Sequence, residues 1–467
     1  MEKFDAIILG SGQAGNPLAK KLSKEGKSVV LVEEAFIGGT CINYGCTPTK
    51  TLVGLAKNIT QARRSAEYGI TINNDIPDYG KIIQRKNKVV SAFRGGLEDS
   101  LLHDANITRY HGKSSFSGHK EIAVQLEGKG FKSITAPQIF INTGTRDRRP
   151  AIEGIDSVKV FTSKTILDLE TLPKHLIIIG GGYVALEFSQ IFRRMGSLVT
   201  IVEQASSLLP KEDDDVGLMV RQILEAEGVK IITGALVKRV YHDTEGAVSI
   251  DFISDKKSIV VSGTHLLIAT GRTPNTEDLE LSKTGVDIDQ NGFIPVNEYL
   301  ETTVPGIYAL GDVKGGPAFT HVAYHDYIVL ADHLFGTGNT STRDRLVPYC
   351  VFIDPELARI GLTEKEALNM GFDFSIAKMN TSSIARAVET DETTGFVKAI
   401  VDNTTGKILG AAVICAGGGE LMSLLQIAML GSLTYDQLRD TMFAHPTYAE
   451  AINNLFSPTH LPARNSS

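Results

Sequence analysis

The sequence contains few cysteines, no excess of positive charge and no long apolar run. Four cysteines in 467 residues are too few for a disulfide scaffold, so a reducing, cytoplasmic compartment is expected. With 47 Lys and Arg against 54 Asp and Glu, the net charge is −7, which argues against a nucleic-acid partner and against binding at a membrane surface. No stretch approaches the ~18 apolar residues of a membrane-spanning helix. The opening residues, MEKFDAIILG, do not resemble a secretory signal.

The composition is otherwise that of a globular protein with more glycine than usual. Apolar residues make up 42% of the chain and charged residues 22%, so a sizeable core is expected. The length predicts about three domains. The 45 glycines exceed the usual share of ~7%, which indicates binding loops whose contacts come from the backbone.

The first glycine cluster lies between two apolar runs. FDAIIL (4–9) predicts a strand, the residues after the cluster predict a helix ending at Lys24, and SVVLVEE (28–34) predicts a second strand. Glycines at this position let the backbone approach a pyrophosphate at a helix N-terminus. An acidic residue about 20 residues later accepts hydrogen bonds from a ribose. The residues of this dinucleotide motif are Gly10, Gly12, Gly15 and Glu33.

The same arrangement recurs in residues 176–204. Two such units predict two dinucleotides, FAD and a nicotinamide nucleotide, on an α/β fold with two Rossmann-like domains. The first unit precedes a cysteine pair and is expected to hold FAD, and the second is expected to hold NAD(P). The carboxylate of the second unit suits a 2′-OH and repels a 2′-phosphate, so NADH is expected, with NADPH as the alternative. The residues of the second motif are Gly180, Gly182, Ala185 and Glu203, of which Ala185 alone favours NADPH.

Cys41 and Cys46 form a C-x4-C pair in GGTCINYGCTPTK (38–50). Two buried thiols or half of a zinc site are the alternatives to a redox pair. Zinc needs further ligands at short spacing, and Cys350 and Cys415 stand alone, so no metal site is expected. On an ideal helix the two Cα atoms would lie about 8.6 Å apart, beyond the reach of a disulfide. We therefore expect a distorted helix start at Gly45, where the helix N-terminus lowers a thiol pKa.

The remaining segments show other patterns. Residues 58–110 predict helices, and residues 112–142 predict a small antiparallel sheet. Pro150 and Gly154 mark a boundary before the second unit, and Pro274 marks its end. From residue 346 onward, strands and helices without a phosphate loop predict a third unit.

Four motifs occur in the order of a known family. GGTCINYGCTPTK, ATGRTPN (269–275), IYALGDV (307–313) and AHPTYAE (444–450) resemble the class I pyridine nucleotide-disulfide oxidoreductases over essentially the whole chain. This family includes glutathione reductase, lipoamide dehydrogenase and mercuric reductase, and the mercuric-reductase-like branch is the most similar. The resemblance implies a homodimer with an FAD-binding domain (1–148 and 276–345), an NAD(P)-binding domain (149–275) and an α+β dimerisation domain (346–467).

The resemblance also implies roles for the matching residues. Cys41 resembles the thiol that meets the substrate, and Cys46 the flavin-proximal thiol that forms a charge-transfer complex. His445 resembles a general acid–base that is oriented by Glu450 and supplied by the neighbouring subunit. The other matches are Lys50 paired with Glu187 near the flavin, Tyr183 over the flavin, Gly39, Thr40, Thr143, Gly144 and Asp312 at FAD, and Gly271 at NAD(P).

The implied activity is an FAD-dependent NAD(P)H oxidoreductase. Electrons pass from the nicotinamide through the flavin to the Cys41–Cys46 disulfide, and then to a small-molecule disulfide or a soft metal ion. Dihydrolipoamide dehydrogenase is one alternative, and a redox-dead flavoprotein that serves as an interaction module is another. The chain departs from the family pattern at Ala449 and at the turn NTGT (142–145). The C-terminal FSPTHLPARNSS also lacks the cysteine pair of dedicated mercury detoxifiers.

Overall fold

The computed structural model describes residues 1–72, 76–128 and 130–461. Parts of three predicted segments lie outside the described residues: residues 73–75 of the helical segment, residue 129 of the antiparallel sheet and residues 462–467 of the third unit. Among the described residues, no helix combines the length and apolarity needed to cross a membrane.

The first β-α-β unit and the cysteine pair lie in the first third of the chain. The helix after the glycines and the strands on either side of it form where the sequence predicts them. The elements are β1 (Glu2–Lys3), β2 (Ala6–Leu9), α1 (Gly15–Lys24), β3 (Val29–Glu33), α2 (Gly39–Asn43), α3 (Cys46–Arg64), α4 (Tyr79–Leu102), β4 (Ile107–Gly118), β5 (Glu121–Leu126), β6 (Gly130–Thr135), β7 (Gln138–Ile141) and β8 (Thr145–Asp147).

The second β-α-β unit occupies the middle of the chain and is followed by one more strand and a long helix. The elements are β9 (Val160–Phe161), β10 (His175–Ile179), α5 (Tyr183–Met195), β11 (Leu198–Val202), α6 (Asp214–Ala226), β12 (Lys230–Ile232), β13 (Leu236–His242), β14 (Val248–Ser254), β15 (Lys257–Gly263), β16 (His265–Ile268), β17 (Arg272–Pro274), β18 (Ile307–Ala309) and α7 (Thr320–Phe335).

The third unit is an antiparallel sheet with helices, and its described residues, up to 461, contain no G-x-G-x-x-G loop. Its strands run in the order β19-β20-β23-β22-β21. The elements are β19 (Tyr349–Val351), β20 (Glu356–Gly361), α8 (Glu364–Asn369), β21 (Phe374–Asn380), α9 (Ala385–Glu389), β22 (Phe396–Asp402), β23 (Ile408–Cys415), α10 (Gly418–Leu430), α11 (Tyr435–Arg439) and α12 (Ala451–Leu455).

The two nucleotide units share the order of four parallel strands and differ in the fifth, which follows the other four along the chain in the first unit and precedes them in the second. Parallel strands run β4-β3-β2-β7-β18 in the first unit and β12-β11-β10-β16-β9 in the second. The first sheet continues through β4 into the antiparallel strands β5 and β6, whereas the second unit carries a separate antiparallel sheet, β13-β14-β15. Parallel strands covered on both faces are apolar throughout, as in AIIL of β2, which is fully buried. Because β18 pairs with β7, the chain returns to the first sheet after completing the second. The carboxyl ends of both sheets carry the predicted glycine motifs.

Two of the sequence predictions need correction. The segment predicted as helical up to residue 110 already enters β4 at Ile107, which pairs in parallel with β3. The end of the segment predicted as antiparallel, QIFI in β7, is instead a parallel strand beside β2. Short apolar runs do not encode their direction, because direction depends on where the chain enters the sheet.

One group of carboxylates has the spacing of a metal site. Asp213, Asp215 and Glu364 place oxygens within 4.8 Å of one another where the second and third units meet. The ammonium of Lys398, which is only 1% exposed, lies 2.6–3.0 Å from all three side chains. Arg359 also pairs with Asp213, and Lys378 with Asp215, so three cations balance the three carboxylates. The group therefore joins the two units as an ion-pair network.

Candidate active site

The first glycine loop forms a cradle that has no room for side chains. Gly10 has φ +99°, and a Cβ there would lie 2.4 Å from the carbonyl oxygen of Asn142. Gly39, at the start of α2 with φ +59°, would place a Cβ 2.9 Å from the Cα of Gly12. The loop backbone therefore lies uncovered by side chains at the N-terminus of α1, the end of a helix that favours a pyrophosphate. The structure places the predicted residues Gly10, Gly12, Gly15, Gly39 and Thr40 together at this edge.

The carboxylate of Glu33 is held beside this cradle. Its Oε2 accepts hydrogen bonds from the backbone N–H and the hydroxyl of Ser11, at 2.8 and 2.7 Å. Its Oε1 accepts one from the backbone N–H of Ala35 at 2.9 Å. The acid at the end of β3 therefore has a fixed orientation at the position where a dinucleotide ribose binds. Sequence reasoning missed Ser11, although it lies between the first two glycines of the motif.

The second unit repeats this arrangement. The carboxylate of Glu203 accepts hydrogen bonds from the backbone N–H groups of Gly181 and Ala205. Gly180 has φ +114°, and a Cβ there would lie 2.3 Å from the carbonyl oxygen of Ala269. A Cβ on Gly182 would meet nothing within 4 Å, so the loop is open to a ligand at this residue. The backbone of both loops and both acids therefore fit a dinucleotide.

Two further residues predicted for the second site lie around the same loop. Ala185 is fully buried on the inner face of α5, where a small residue lets the helix approach the sheet. Gly271, with φ +110°, follows β16 and faces the guanidinium of Arg148. Ala185 therefore packs in the core beneath the loop.

Asn142 connects the first cradle to a distant loop. Its Oδ1 accepts a hydrogen bond from the backbone N–H of Gly15 at 2.9 Å, and its Nδ2 donates one to the carbonyl oxygen of Leu310 at 2.9 Å. The corresponding residue of the second unit is Ala269, which has no such side chain. Asn142, at which the NTGT turn departs from the family pattern, therefore joins the start of α1 to the loop after β18. Sequence reasoning did not assign it a role.

Asp312 lies in the loop after β18, two residues beyond Leu310, which accepts the hydrogen bond from Asn142. Its carboxylate accepts a hydrogen bond from the hydroxyl of Thr145 at 3.0 Å. Thr143 and Gly144 precede Thr145 in the same turn, and the hydroxyl of Thr143 donates to the carbonyl oxygen of Asn275 at 2.9 Å. The structure therefore brings Asp312, Thr143 and Gly144 together at the carboxyl edge of the first sheet.

The cysteine pair spans a break between two helices. Cys41 lies in α2, and Cys46 is the first residue of α3, with Gly45 between the helices at φ −127° and ψ −110°. The predicted distortion of the helix start is confirmed. All four cysteines are free thiols.

The two thiols differ in acidity. The pKa of Cys46 is lowered to about 6, chiefly by the hydrogen bond from Cys41 and also by Thr320 and the charge of Lys50. The pKa of Cys41 is raised, because its proton is bound to the Cys46 thiolate and because it is partly buried. The hydroxyl of Thr320, the first residue of α7, lies 3.1 Å from the sulfur of Cys46. Near neutral pH the pair therefore consists of a Cys46 thiolate and a Cys41 thiol.

Lys50 lies one helical turn beyond Cys46 and pairs with a buried acid. Its ammonium is 2.5 Å from Oε2 of Glu187, which is 3% exposed, and 4.8 Å from the centre of the Phe352 ring. The other oxygen of Glu187 accepts the backbone N–H of Phe352 at 3.0 Å. Both charges are thus fixed next to the thiolate. The predicted Lys50–Glu187 pair is present.

Tyr183 begins α5 at the glycine loop of the second unit. Its ring packs against Phe319, with 5.9 Å between the ring centres, and burial raises the pKa of its phenol to about 12. Phe319 directly precedes Thr320, which contacts Cys46. Tyr183 therefore lies between the second cradle and the thiols.

His445 and Glu450 form a pair in the third unit. The Nδ1 of His445 is 2.8 Å from Oε2 and 3.0 Å from Oε1 of Glu450. This contact orients the ring and leaves Nε2 to exchange a proton. In the described residues, His445 makes no hydrogen bond or ion pair to Cys41 or Cys46 of its own chain. Its side chain is 66% exposed.

Two dinucleotide cradles beside an activated thiol pair define an oxidoreductase that couples nucleotide oxidation to thiol chemistry. A family model described as pyridine nucleotide-disulphide oxidoreductase matches residues 4–326. The dimerisation domain of the same family matches residues 347–456. The chain belongs to this family.

Relatives with this architecture cover nearly the whole chain. The probable pyridine nucleotide-disulfide oxidoreductase RclA of Escherichia coli K12 is 40% identical, over 98% of this chain and 99% of that protein. A mercuric reductase of Lysinibacillus sphaericus is 31% identical, over 97% and 82%. A dihydrolipoyl dehydrogenase of Bacillus subtilis is 32% identical, over 97% and 98%.

A solved structure agrees with this assignment. The Cu(II) complex of the HOCl-induced flavoprotein disulfide reductase RclA from Escherichia coli superposes with a TM-score of 0.90 at 39% identity, covering 98% of this chain and 99% of that chain. The predicted class is therefore confirmed: an α/β flavoprotein oxidoreductase that depends on a pyridine nucleotide, with a dimerisation domain.

Proposed function

We propose that this enzyme uses NADH and bound FAD to reduce a small-molecule disulfide or a soft metal ion at Cys41 and Cys46. The observation that carries the proposal is the Cys46 thiolate, with a pKa lowered to about 6, beside the Lys50–Glu187 ion pair. Structural cysteines in apolar surroundings have raised pKa values instead, as Cys415 does here. The redox-dead alternative does not account for a thiol that is activated in this way.

FAD, when bound, supplies the two-electron relay between the nicotinamide and the cysteine pair. The proposed FAD ligands are the first glycine cradle with Glu33, Gly39, Thr40, Thr143, Gly144, Lys50 and Asp312. The proposed NADH ligands are the second cradle with Glu203, Tyr183, Glu187 and Gly271. Cys46 keeps its negative charge next to the flavin site, and Cys41 forms the bond to the substrate. His445, oriented by Glu450, moves the substrate proton.

The proposed domains are 1–148 with 276–345 for FAD, 149–275 for NAD(P) and 346–467 for dimerisation. The pairing of β18 with β7 supports joining the first two segments. A homodimer is proposed because α10 carries exposed apolar residues at helical spacing, Leu424, Ile427 and Leu430. The partner would then supply His445 to the thiols of each chain. The low cysteine content supports a cytoplasmic location.

A steady-state screen tests the reaction. Purified holoenzyme is assayed with NADH or NADPH against glutathione disulfide, lipoamide, Hg(II), Cu(II) and oxygen. Cu(II) is included because the relative RclA is known as a Cu(II) complex. We expect a disulfide or a metal ion to support faster turnover than oxygen. Turnover with lipoamide alone would establish dihydrolipoamide dehydrogenase, and activity with oxygen alone would contradict both functions.

The nicotinamide preference follows from Glu203. Its carboxylate, held by two backbone N–H groups, accepts a 2′-OH and repels a 2′-phosphate. We expect kcat/KM to favour NADH by roughly 2–3 kcal/mol, on the order of 30- to 150-fold. Glu203→Gln removes the charge and should raise kcat/KM for NADPH about 10-fold.

The matched control for this measurement is Glu245→Gln, which changes an exposed acid in a turn of the same unit. The control should leave the ratio of NADH to NADPH unchanged. Equal use of both nucleotides by the wild-type enzyme would show that Glu203 does not determine the preference.

A further inference from the structure

A buried carboxylate on α7 holds the loop that carries Asp312. The side chain of Asp326 is fully buried, which carboxylates tolerate only with strong partners. Its Oδ2 accepts a hydrogen bond of 2.8 Å from the backbone N–H of Gly311, the residue before Asp312. Its Oδ1 accepts one of 2.9 Å from Arg345, and the ammonium of Lys314 lies 3.4 Å from Oδ2.

The loop depends on this contact because of its backbone conformation. Gly311 has φ +72°, and a Cβ there would lie 2.9 Å from Nδ2 of Asn142. Gly311 is itself buried, so its N–H group would lose its partner if the carboxylate of Asp326 were removed. On the far side of the loop, Thr145 donates to Asp312 at 3.0 Å. Asp312 is therefore held from two sides.

The same helix also contacts the thiols. Thr320 at the N-terminus of α7 lies 3.1 Å from the sulfur of Cys46, and Asp326 follows six residues later. Six residues of α-helix span about 9 Å along the axis. One rigid segment thus fixes the loop of Asp312 relative to the reactive thiol.

We propose that Asp326 is a positioning residue for the flavin: through Gly311 and the start of α7 it holds Asp312 against the bound FAD at a set distance from Cys46. Asp326 does not itself touch the cofactor. This inference rests on the proposed contact between Asp312 and FAD, and it adds a residue that neither of the nucleotide motifs contains.

The rate of FAD release from the holoenzyme tests this proposal. Each variant is held below its unfolding temperature, release is followed by the rise in flavin fluorescence, and circular dichroism monitors the fold. We expect Asp326→Ala to release FAD about 10- to 100-fold faster, because the N–H group of Gly311 loses a charged acceptor. Asp326→Asn keeps the side-chain volume and one acceptor oxygen, so it should release FAD at an intermediate rate. If the alanine variant does not fold, the release rate of Asp326→Asn tests the proposal.

Three controls separate positioning from general stability. Asp332 lies on the same helix and accepts hydrogen bonds from Thr337 and Thr340, away from Asp312. Asp332→Asn should keep the wild-type release rate. Arg345→Met removes a charged partner of the carboxylate but leaves the Asp326–Gly311 hydrogen bond in place, so it should release FAD more slowly than Asp326→Ala. Asp312→Ala should release FAD at least as fast as Asp326→Ala.

The outcomes distinguish the positioning role of Asp326 from the proposed contact between Asp312 and FAD. Wild-type release in both Asp326 variants together with fast release in Asp312→Ala would overturn the positioning role alone. Wild-type release in Asp312→Ala would overturn the proposed FAD contact, and the positioning role with it. Equal acceleration in Asp326→Asn and Asp332→Asn would also overturn the positioning role, because it would show an effect on the stability of α7 only.

Discussion

Cys41→Ser is expected to lower turnover with a disulfide substrate by about 10³-fold or more, because a hydroxyl cannot replace the attacking thiol. Cys46→Ser should have a loss of similar size. The two variants should differ in colour. Cys41→Ser keeps the Cys46 thiolate and should show long-wavelength absorbance before reduction, whereas Cys46→Ser should lack this band after reduction. Rates come from steady-state assays, and the band is read in the visible spectrum.

The band should also depend on pH in a defined direction. The pKa of Cys46 is lowered to about 6, so the thiolate and its absorbance should persist above pH 6 and fade as the pH falls below it. The largest cause of the lowered pKa is the hydrogen bond from Cys41, so Cys41→Ala should move the midpoint upward. Cys415→Ala, which changes a buried cysteine of the third unit, serves as the control and should retain turnover. A band in Cys46→Ser and none in Cys41→Ser would reverse the roles of the thiols.

His445→Gln is expected to slow the reduction of a disulfide by about 10²- to 10⁴-fold. The leaving thiolate of a disulfide needs a proton, which the oriented imidazole of His445 provides. A metal ion such as Cu(II) or Hg(II) needs no proton, so turnover with these substrates should change much less. Flavin reduction by NADH in a single turnover lies upstream of the histidine and should keep its wild-type rate.

The chain offers a matched control for this variant. His111 also pairs with a glutamate, Glu127, at 3.1 Å, but on the surface of the first unit. His111→Gln should leave turnover with both kinds of substrate unchanged. Sedimentation at assay concentration tests whether the partner supplies the histidine: full disulfide turnover by a monomer would show that each chain has a complete site.

Local sequence patterns were sufficient for several parts of this enzyme. The two β-α-β units, their glycine loops and their acids follow from short-range periodicity, because phosphate loops are built from consecutive residues. The break between α2 and α3 follows from the spacing of Cys41 and Cys46 and from Gly45. The pairing of Lys50 with Glu187, 137 residues apart, followed from family resemblance rather than from spacing.

The tertiary structure alone decided the contacts that hold these parts together. Asn142 bridges Gly15 and Leu310, which are 127 and 168 residues away, and Thr320 reaches Cys46 across 274 residues. In the sequence, nothing distinguishes Asp326 from an exposed polar residue of a helix. Such contacts depend on which strands become neighbours and where the chain returns to the first sheet. Periodicity carries no information on either, because it records only which face of each element is buried.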